Sequence, residues 1–319
     1  MERTHRVIAL GIITALGAAC TERTPGELPE GVEAISLLGD TLRVPALPDS
    51  VRLAREAELA EARATLGREP NSADALIWVG RRTAYLGRYR EAAAIFGEGI
   101  RRFPDDARFY RHRGHRHITL RRFDLAVQDF ERGAQLVAGR PDEVEPDGQP
   151  NARGIPTSTL QFNIWYHLGL AYYLQGDFEN ALRAYRECMA VSQNPDAQVA
   201  TSHWLYMTLR RLDRPDEAGM VLTPISAGMP IIENTAYHRL LLMYQGLLPA
   251  DSLYRPAGAE ASLQDITTAY GVGNWHWYNQ RRTEADQVLR AIQAGRSQWA
   301  AFGYIAAEAE LARQVGGGR

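Results

Sequence analysis

The feature that most constrains the fold is an internal repeat with a period of 34 residues. When the segment that begins at Asp74 is aligned with the segment that begins at Arg108, small and aromatic residues meet residues of the same kind. Five such pairs are each separated by 34 residues: Gly80 and Gly114, Tyr89 and Phe123, Ala92 and Ala126, Phe96 and Phe130, and Gly99 and Gly133. A repeat of this length predicts a stack of similar units, none of which buries its apolar side alone.

A third copy of the pattern lies between Trp165 and Tyr185. Its members follow the order W-x2-L-G-x2-Y and then place small and aromatic residues at Trp165, Leu168, Gly169, Tyr172, Gly176, Phe178, Ala181 and Tyr185. With three copies present, the sequence resembles the tetratricopeptide repeat family. The resemblance implies an all-α fold, a right-handed superhelical solenoid of antiparallel helix pairs.

The pattern continues with lower fidelity towards both ends of the chain. Three weaker repeats and a closing helix are predicted at residues 203–222, 237–254, 267–292 and 299–313. The closing helix is expected to carry polar residues on its outer side. Helical periodicity over Val51–Leu66 predicts a cap at the other end. The predicted solenoid therefore covers residues 51–313, followed by a flexible tail at 314–319.

The register breaks between the second and third repeats. Gly114 and Gly169 are 55 residues apart, which is 21 more than the 34-residue period. The insertion, at about residues 138–160, is rich in proline and carries four acids: Asp142, Glu143, Glu145 and Asp147. Because loops of this length in compact arrays usually have a purpose or are disordered, we hypothesise that these acids fold back against Arg108, Arg111 or Arg113.

A cation site is the alternative interpretation of the insertion. Oxygen ligands are available from Asp142, Glu145, Asp147 and Asn151. Their spacing does not match an EF-hand loop.

The resemblance also implies a binding groove, because in tetratricopeptide folds the first helix of each repeat builds the concave wall. On this chain the wall would be basic and aromatic, with Trp78, Arg81, Arg108, Arg111, His112, His115, Tyr166, His167, Tyr173, His203, Trp204 and Arg211. Arginine can hold a carboxylate by two hydrogen bonds, and aromatic faces accept apolar side chains. The groove is predicted to bind another protein or a peptide, with acidic partners included; the alternative is a solvated arginine face.

Two residues of the second repeat raise a packing question. Arg113 and His117 fall where the repeat turns its side chains towards the interior. A buried guanidinium without a partner would be strongly destabilising. The sequence therefore predicts that Asp129 or an acid of the insertion meets Arg113.

A metal centre is the alternative function. His112, His115 and His167 could supply zinc or iron ligands. However, the sequence contains no H-E-x-x-H, G-x-S-x-G or P-loop pattern, and Cys188 lies at a small-residue packing position. The sequence therefore favours a protein that is not an enzyme and has no resident metal. The only cofactor expected is a covalent lipid on Cys20, which the amino-terminal sequence predicts.

The amino terminus predicts export. Arg3 and Arg6 precede an apolar run that is too short to span a bilayer, and Leu16–Cys20 resembles a bacterial lipobox. Residues 1–19 are predicted to be a signal peptide, and residues 20–50 a lipid-anchored tether rich in proline and glycine. An ordinary secretory signal and an uncleaved anchor are the alternatives. The expected location is the periplasmic face of the outer membrane or the cell envelope.

Charge excludes one further class of partner. All 36 basic residues are arginine, and the formal net charge of the 319-residue chain is −2. A nucleic-acid-binding domain would be expected to be basic, because it must neutralise phosphates. We therefore expect no nucleic-acid partner.

Overall fold

The computed structural model describes residues 28–44, 46–254 and 261–316. A short β-hairpin, β1 (Val32–Ile35) and β2 (Thr41–Arg43), precedes the helices, and the two strands are antiparallel. The described residues contain thirteen α-helices: α1 (Asp49–Arg68), α2 (Ala73–Tyr85), α3 (Tyr89–Arg102), α4 (Ala107–Thr119), α5 (Phe123–Val137), α6 (Leu160–Gln175), α7 (Phe178–Val191), α8 (Pro195–Arg211), α9 (Pro215–Leu222), α10 (Thr235–Tyr244), α11 (Leu263–Tyr278), α12 (Arg282–Ala294) and α13 (Phe302–Gly316).

Sequential helices pack in pairs, as the repeat pattern predicts. The pairs α2 with α3, α4 with α5, α6 with α7 and α8 with α9 correspond to the four repeats between residues 73 and 222. Each pair also contacts the next one, which gives the stacked arrangement of a solenoid. The prediction of an all-α solenoid of helix pairs is confirmed.

Glycines in the first helix of each repeat allow close approach by the second helix. A methyl group at Gly80 would lie 2.5 Å from the Phe96 ring, and one at Gly169 would lie 2.7 Å from the Tyr185 ring. At Gly114 the corresponding distance to the Phe130 ring is 2.8 Å. The aromatic residue follows its glycine by 16 positions each time, so the repeat pattern encodes this contact directly.

The fifth predicted repeat differs from the others. In the described part of residues 237–254, α10 is followed only by a single 3-10 turn at Ala250–Ser252. The sixth predicted repeat forms a complete pair, α11 and α12.

The closing helix α13 is not a solvent-facing cap. It packs against α6, α11 and α12, and its residues from Gly303 to Leu311 are buried. Its two acids lie inside the protein, since Glu308 is 0% exposed and Glu310 is 4% exposed. The prediction of a polar outer side is therefore wrong, because α13 lies along the inner wall of the solenoid.

The β-hairpin joins the two ends of the array. The backbone N–H of Leu37 donates to Glu308 at 2.7 Å, and the indole N–H of Trp299 donates to the Arg43 carbonyl at 2.6 Å. The carboxylate of Glu33, in the hairpin, also accepts a hydrogen bond from the backbone N–H of Arg90 at the start of α3. Residues 32–43 are thus packed against the repeats, and for them the prediction of a tether is wrong.

Several predictions at the termini lie outside the described residues. These are the signal peptide at 1–19, the lipidated Cys20, and residues 317–319 of the tail. Within the described ranges, none of the helices is both long enough and apolar enough to cross a membrane.

Candidate functional site

The inner wall that the sequence predicts is divided into a covered half and an open half. In the covered half, the side chains of Tyr173, His203, Trp204 and Arg211 lie beneath helices α10, α11 and α13. In the open half, the side chains of Arg111, His115, Tyr166 and His167 border an open pocket. The prediction that all of them line one accessible groove is wrong, because the carboxy-terminal helices fold over half of it.

Side chains of the carboxy-terminal helices bind Tyr173 and Arg211 of the covered half. The Tyr173 hydroxyl accepts hydrogen bonds from Tyr270, at 3.0 Å, and from the Asn274 amide, at 2.8 Å. Arg211 forms an ion pair with Glu310 at 2.9 Å, and its guanidinium lies 3.8 Å from the Trp277 ring centre. These contacts engage both side chains within the fold.

His203 is a buried polar residue of the covered half. It is 1% exposed, and its ring stacks between Tyr237 and Tyr244, with centroid distances of 4.7 Å and 5.9 Å. Its Nε2 atom has no hydrogen-bond partner among the described residues. Burial lowers the pKa of His203 to about 3, so the ring is neutral at physiological pH.

Arg121 combines an unusual backbone conformation with a buried ion pair to the covered half. It occupies the turn after α4 with φ +61°, the conformation that Gly87 and Gly176 adopt in the neighbouring repeats. Only glycine enters this conformation without a steric cost. In return the Arg121 side chain reaches Glu308 at 2.8 Å, in an ion pair whose side chains are 3% and 0% exposed.

The open half contains a pocket of about 570 Å³, which we call the inner pocket. Its walls come from helices α4, α6, α8, α10 and α11, from the insertion and from the start of α13. The lining includes Arg111, His115, Phe162, Asn163, Tyr166, His167, Glu233, Tyr237, Thr267 and Phe302.

Aromatic rings form one wall of the inner pocket. The ring centres of His115 and His167 are 4.7 Å apart, and each lies within 5.4 Å of the Phe302 ring centre. Burial lowers the pKa of both histidines well below the usual value, and nearby arginines lower it further. The two histidines are therefore neutral at physiological pH and act as aromatic surface.

Two tyrosine hydroxyls, those of Tyr166 and Tyr237, form a polar spot in the wall of the inner pocket. The Tyr166 hydroxyl accepts a hydrogen bond from the Trp204 indole at 2.7 Å and lies 3.0 Å from the Tyr237 hydroxyl. Burial raises the pKa of Tyr166 well above its usual value, so the hydroxyl keeps its proton. It can donate or accept, but it cannot serve as a base.

The acidic insertion does fold back onto the inner wall, as predicted. Glu145 forms an ion pair with Arg111 at 2.8 Å, and its carboxylate also accepts from the Asn163 amide at 3.0 Å. The other two candidate arginines bind elsewhere. Arg108 pairs with Asp74 and Asp106, and Arg113 pairs with Asp129. Of the four acids in the insertion, Glu145 is the one that reaches this wall.

The outer end of the predicted groove is held by the same insertion. Arg81 donates to the Pro146 carbonyl at 2.7 Å, and its guanidinium stacks 4.5 Å from the Trp78 ring centre. Both side chains are half-buried, so this end of the predicted groove is only partly accessible.

The predicted partner of Arg113 is confirmed as Asp129. Two nitrogen atoms of the guanidinium donate to the two carboxylate oxygens, at 2.9 Å and 2.6 Å. Asp129 also lies 3.1 Å from Nδ1 of His117, which joins the same buried cluster. These residues therefore stabilise the packing of α4 on α5.

The structure does not assemble the predicted metal ligands. His112 stacks on Phe96 and lies 3.1 Å from the Arg111 guanidinium, whereas His115 packs against His167. Among residues 28–44, 46–254 and 261–316, no group of three or more histidines, cysteines or acids is placed to hold a metal ion.

The proposed oxygen ligands of the insertion are also separated. Asp142 accepts from Thr159 and from the backbone of Gln161, whereas Asn151 contacts Glu233 and Ile155. Each acts as a local cap, which overturns the interpretation of these residues as one cation site.

Sequence reasoning missed the acids of α13. Glu308 and Glu310 stand two positions apart in an otherwise apolar stretch, FGYIAAEAELA. Residues two apart on a helix point in different directions, so each acid meets a different arginine, Arg121 or Arg211. Charged residues in so apolar a helix were the signal that could have identified a buried role.

Comparison with protein families matches residues 162–195 to the tetratricopeptide repeat. Among solved structures, the chain is similar to MamA from Desulfovibrio magneticus RS-1, with 19% identity over 56% of this chain and 94% of that one and a TM-score of 0.40. It is also similar to YrrB, described as a TPR protein with an unusual peptide-binding site, with 14% identity over 75% of this chain and 95% of that one and a TM-score of 0.42. Curated protein sequences give no significant match.

Proposed function

Because the chain carries a tetratricopeptide repeat, we propose that it is a non-catalytic interaction scaffold that binds a short segment of another protein in its inner pocket. The observation that carries the proposal is the division of the inner wall. Helices α11 and α13 occupy one half, whereas about 570 Å³ remains open in the other half. A scaffold of this kind holds its partner by shape and by a few polar contacts.

The size of the inner pocket limits what can enter. Pockets that bind small ligands or a few side chains span roughly 300–1,000 Å³. The inner pocket falls within that range, so it suits two or three side chains of an extended segment. A whole helix, about 10 Å across, would not fit.

The chemistry of the pocket favours a segment with an acid beside an apolar residue. Arg111 supplies positive charge at one end, although Glu145 already neutralises part of it. The neutral rings of His115 and His167 and the ring of Phe302 supply an aromatic, apolar wall of the same pocket. An acidic side chain could exchange with Glu145 while an aromatic or aliphatic neighbour packs on the rings.

Cys188 of the third repeat does not supply a nucleophile at neutral pH. Burial raises the pKa of the Cys188 thiol to about 12, and the side chain is 0% exposed. A thiolate is the nucleophilic form of cysteine, so Cys188 is unreactive at neutral pH. The buried hydroxyls and histidines around the inner pocket hold fixed protonation states for the same reason.

A library of ten-residue peptides, half of them acidic, provides the test. We expect the acidic peptides with an aromatic residue to bind. The substitution Thr267→Trp should fill the pocket and weaken their affinity at least about tenfold. Gln287→Trp is the matched control, because it adds the same bulk on the exposed face of α12. Equal binding by both variants, or no binding by the wild type, would refute the proposal.

We further infer that the protein is exported and anchored by a lipid on Cys20, which places the pocket in the cell envelope. Arg3, Arg6 and the apolar run before Cys20 support this inference. A Cys20→Ser variant should lose incorporation of labelled fatty acid and leave the membrane fraction. Labelling that persists in the variant would refute the anchor without affecting the peptide proposal.

A further inference from the structure

A second, smaller cavity lies beside the inner pocket. It encloses about 140 Å³ between α2, α4 and the insertion, and we call it the arginine chamber. Its polar lining consists of Arg81, Tyr85, Arg111, His112, His115, Arg116 and Glu145. Arg111 and His115 also border the inner pocket, so the two spaces share a wall.

The chamber contains more positive than negative charge. Three guanidinium groups line it, and Glu145 is the one carboxylate in its lining. Glu145 pairs with Arg111, while Arg81 binds the Pro146 carbonyl and the Tyr85 hydroxyl. Neither of these interactions serves Arg116.

Arg116 is the unusual member of the cluster. Within the described residues its half-buried side chain forms no ion pair and no hydrogen bond, and its guanidinium lies 5.3 Å from the Tyr89 ring centre. Burial, together with the positive charges of Arg111 and Arg81, lowers the pKa of Arg116 to about 10. A cation in such a position is costly unless an anion accompanies it.

The neighbouring histidines do not add to this charge. Burial lowers the pKa of His112 and of His115 well below the usual value, and adjacent arginines act in the same direction. Both rings are neutral at physiological pH. The excess charge of the chamber therefore belongs to its arginines alone.

From this geometry we infer that the arginine chamber is a binding site for one compact oxyanion of the phosphate or carboxylate type. Arg116 and Arg111 would hold the anion, Arg81 and Tyr85 would border it, and Glu145 would close the chamber. The volume is sufficient, since a water molecule occupies roughly 30 Å³ in the liquid and an oxyanion has four or five heavy atoms. Planar guanidinium groups match the geometry of such anions.

The arginine chamber shares Arg111 and His115 with the proposed peptide pocket but is a different cavity. A free anion requires only the chamber, whereas a peptide requires the space lined by Tyr166, Tyr237 and Phe302. A chamber that ignores anions would overturn this inference and leave peptide binding untouched. Failure of the peptide library would leave the anion site standing.

Thermal unfolding of the purified full-length protein tests the inference. At constant ionic strength, 10 mM inorganic phosphate or acetate should raise the unfolding midpoint by about 3 °C relative to chloride. A shift with phosphate but not with acetate identifies the anion class as phosphate, and the reverse result identifies it as carboxylate. Titration calorimetry with the effective anion should give one site per chain.

Two variants and one control decide whether the shift arises in the chamber. Arg116→Gln should abolish it, and Arg116→Met, which keeps the apolar stem, gives the same readout if the first variant does not fold. Glu145→Gln removes the competing carboxylate and should tighten anion binding roughly tenfold. Arg186→Gln, an exposed arginine of α7, should keep the full shift. Equal shifts in wild type and in the Arg116 variants, or no difference from chloride, would overturn the inference.

Discussion

The covered and open halves of the inner wall begin from the same kind of sequence and reach opposite outcomes. Both halves lie on the first helices of successive repeats, and both are rich in arginine, histidine and aromatic residues. In the covered half Arg211 meets Glu310 from α13, whereas in the open half Arg111 meets Glu145 from the insertion. The source of the carboxylate, a buried helix or a surface loop, decides which half becomes packed interior.

This difference teaches that an inward-facing arginine is not by itself a binding residue. Arg121, Arg211 and Arg113 are each paired within the fold, with partners at 2.9 Å or less. Arg116 has no such partner among the described residues. Functional candidates are better identified by unmatched charge than by arginine content.

The largest expected effect concerns the ion pair that anchors the covered half. Glu308→Gln leaves the Arg121 guanidinium buried without a counterion and weakens the bond from the Leu37 backbone. Breaking a buried ion pair typically costs about 3–5 kcal/mol. Urea titration should show this decrease in the free energy of unfolding.

Glu91→Gln is the matched control for that measurement. Its ion pair with Arg63, at 3.0 Å, is exposed on both sides, so the loss should be below about 1 kcal/mol. If both variants lose the same stability, the covered half does not depend on its buried charges.

A second prediction compares one tyrosine from each half. Tyr173→Phe removes the acceptor for the Asn274 amide in the dry covered half and should cost about 2 kcal/mol. Tyr237→Phe removes a hydroxyl that borders the open pocket, where water can replace it, and should cost less than about 1 kcal/mol. Denaturant titration of both variants checks the ranking, and a larger cost for Tyr237→Phe would contradict the division into dry and wet halves.

The smallest expected effect is the dependence of stability on pH through His203. The pKa of His203 is lowered to about 3 in the folded protein, against about 6.5 when unfolded, so the unfolded chain binds the proton more readily. The stabilisation is complete above about pH 6.5 and is lost as the pH falls below it, by roughly 1.4 kcal/mol per pH unit.

His203→Phe keeps the stacking on Tyr237 and Tyr244 but cannot titrate. Between pH 7.5 and pH 5.5 the variant should lose about 1 kcal/mol less stability than the wild type. Parallel curves for the two proteins would show that His203 is accessible to protons and that the covered half is not sealed.

Much of the fold could be predicted because the repeat pattern is local. The contact of Gly80 with Phe96, or of Gly169 with Tyr185, spans 16 positions and recurs in register. The pairing of Arg113 with Asp129 was predictable for the same reason, since both lie in one repeat. Short-range periodicity determines which residues meet within a helix pair.

The candidate site could be predicted only in part, because its decisive contacts are distant in sequence. Arg121 meets Glu308 at a separation of 187 positions, and Asn274 meets Tyr173 at a separation of 101. No local pattern states that α13 will return along the inner wall. Predicting an accessible groove from the repeats alone therefore overestimated what remains exposed.

The β-hairpin changes how the whole array should come apart. Repeat solenoids usually fray from their ends, because each unit contacts only its neighbours. Here the bond between Leu37 and Glu308 joins positions 271 residues apart, so the first and last elements support each other. Because this closure links distant parts of the chain, we expect unfolding to be more cooperative than in an open array, and folding to be slow.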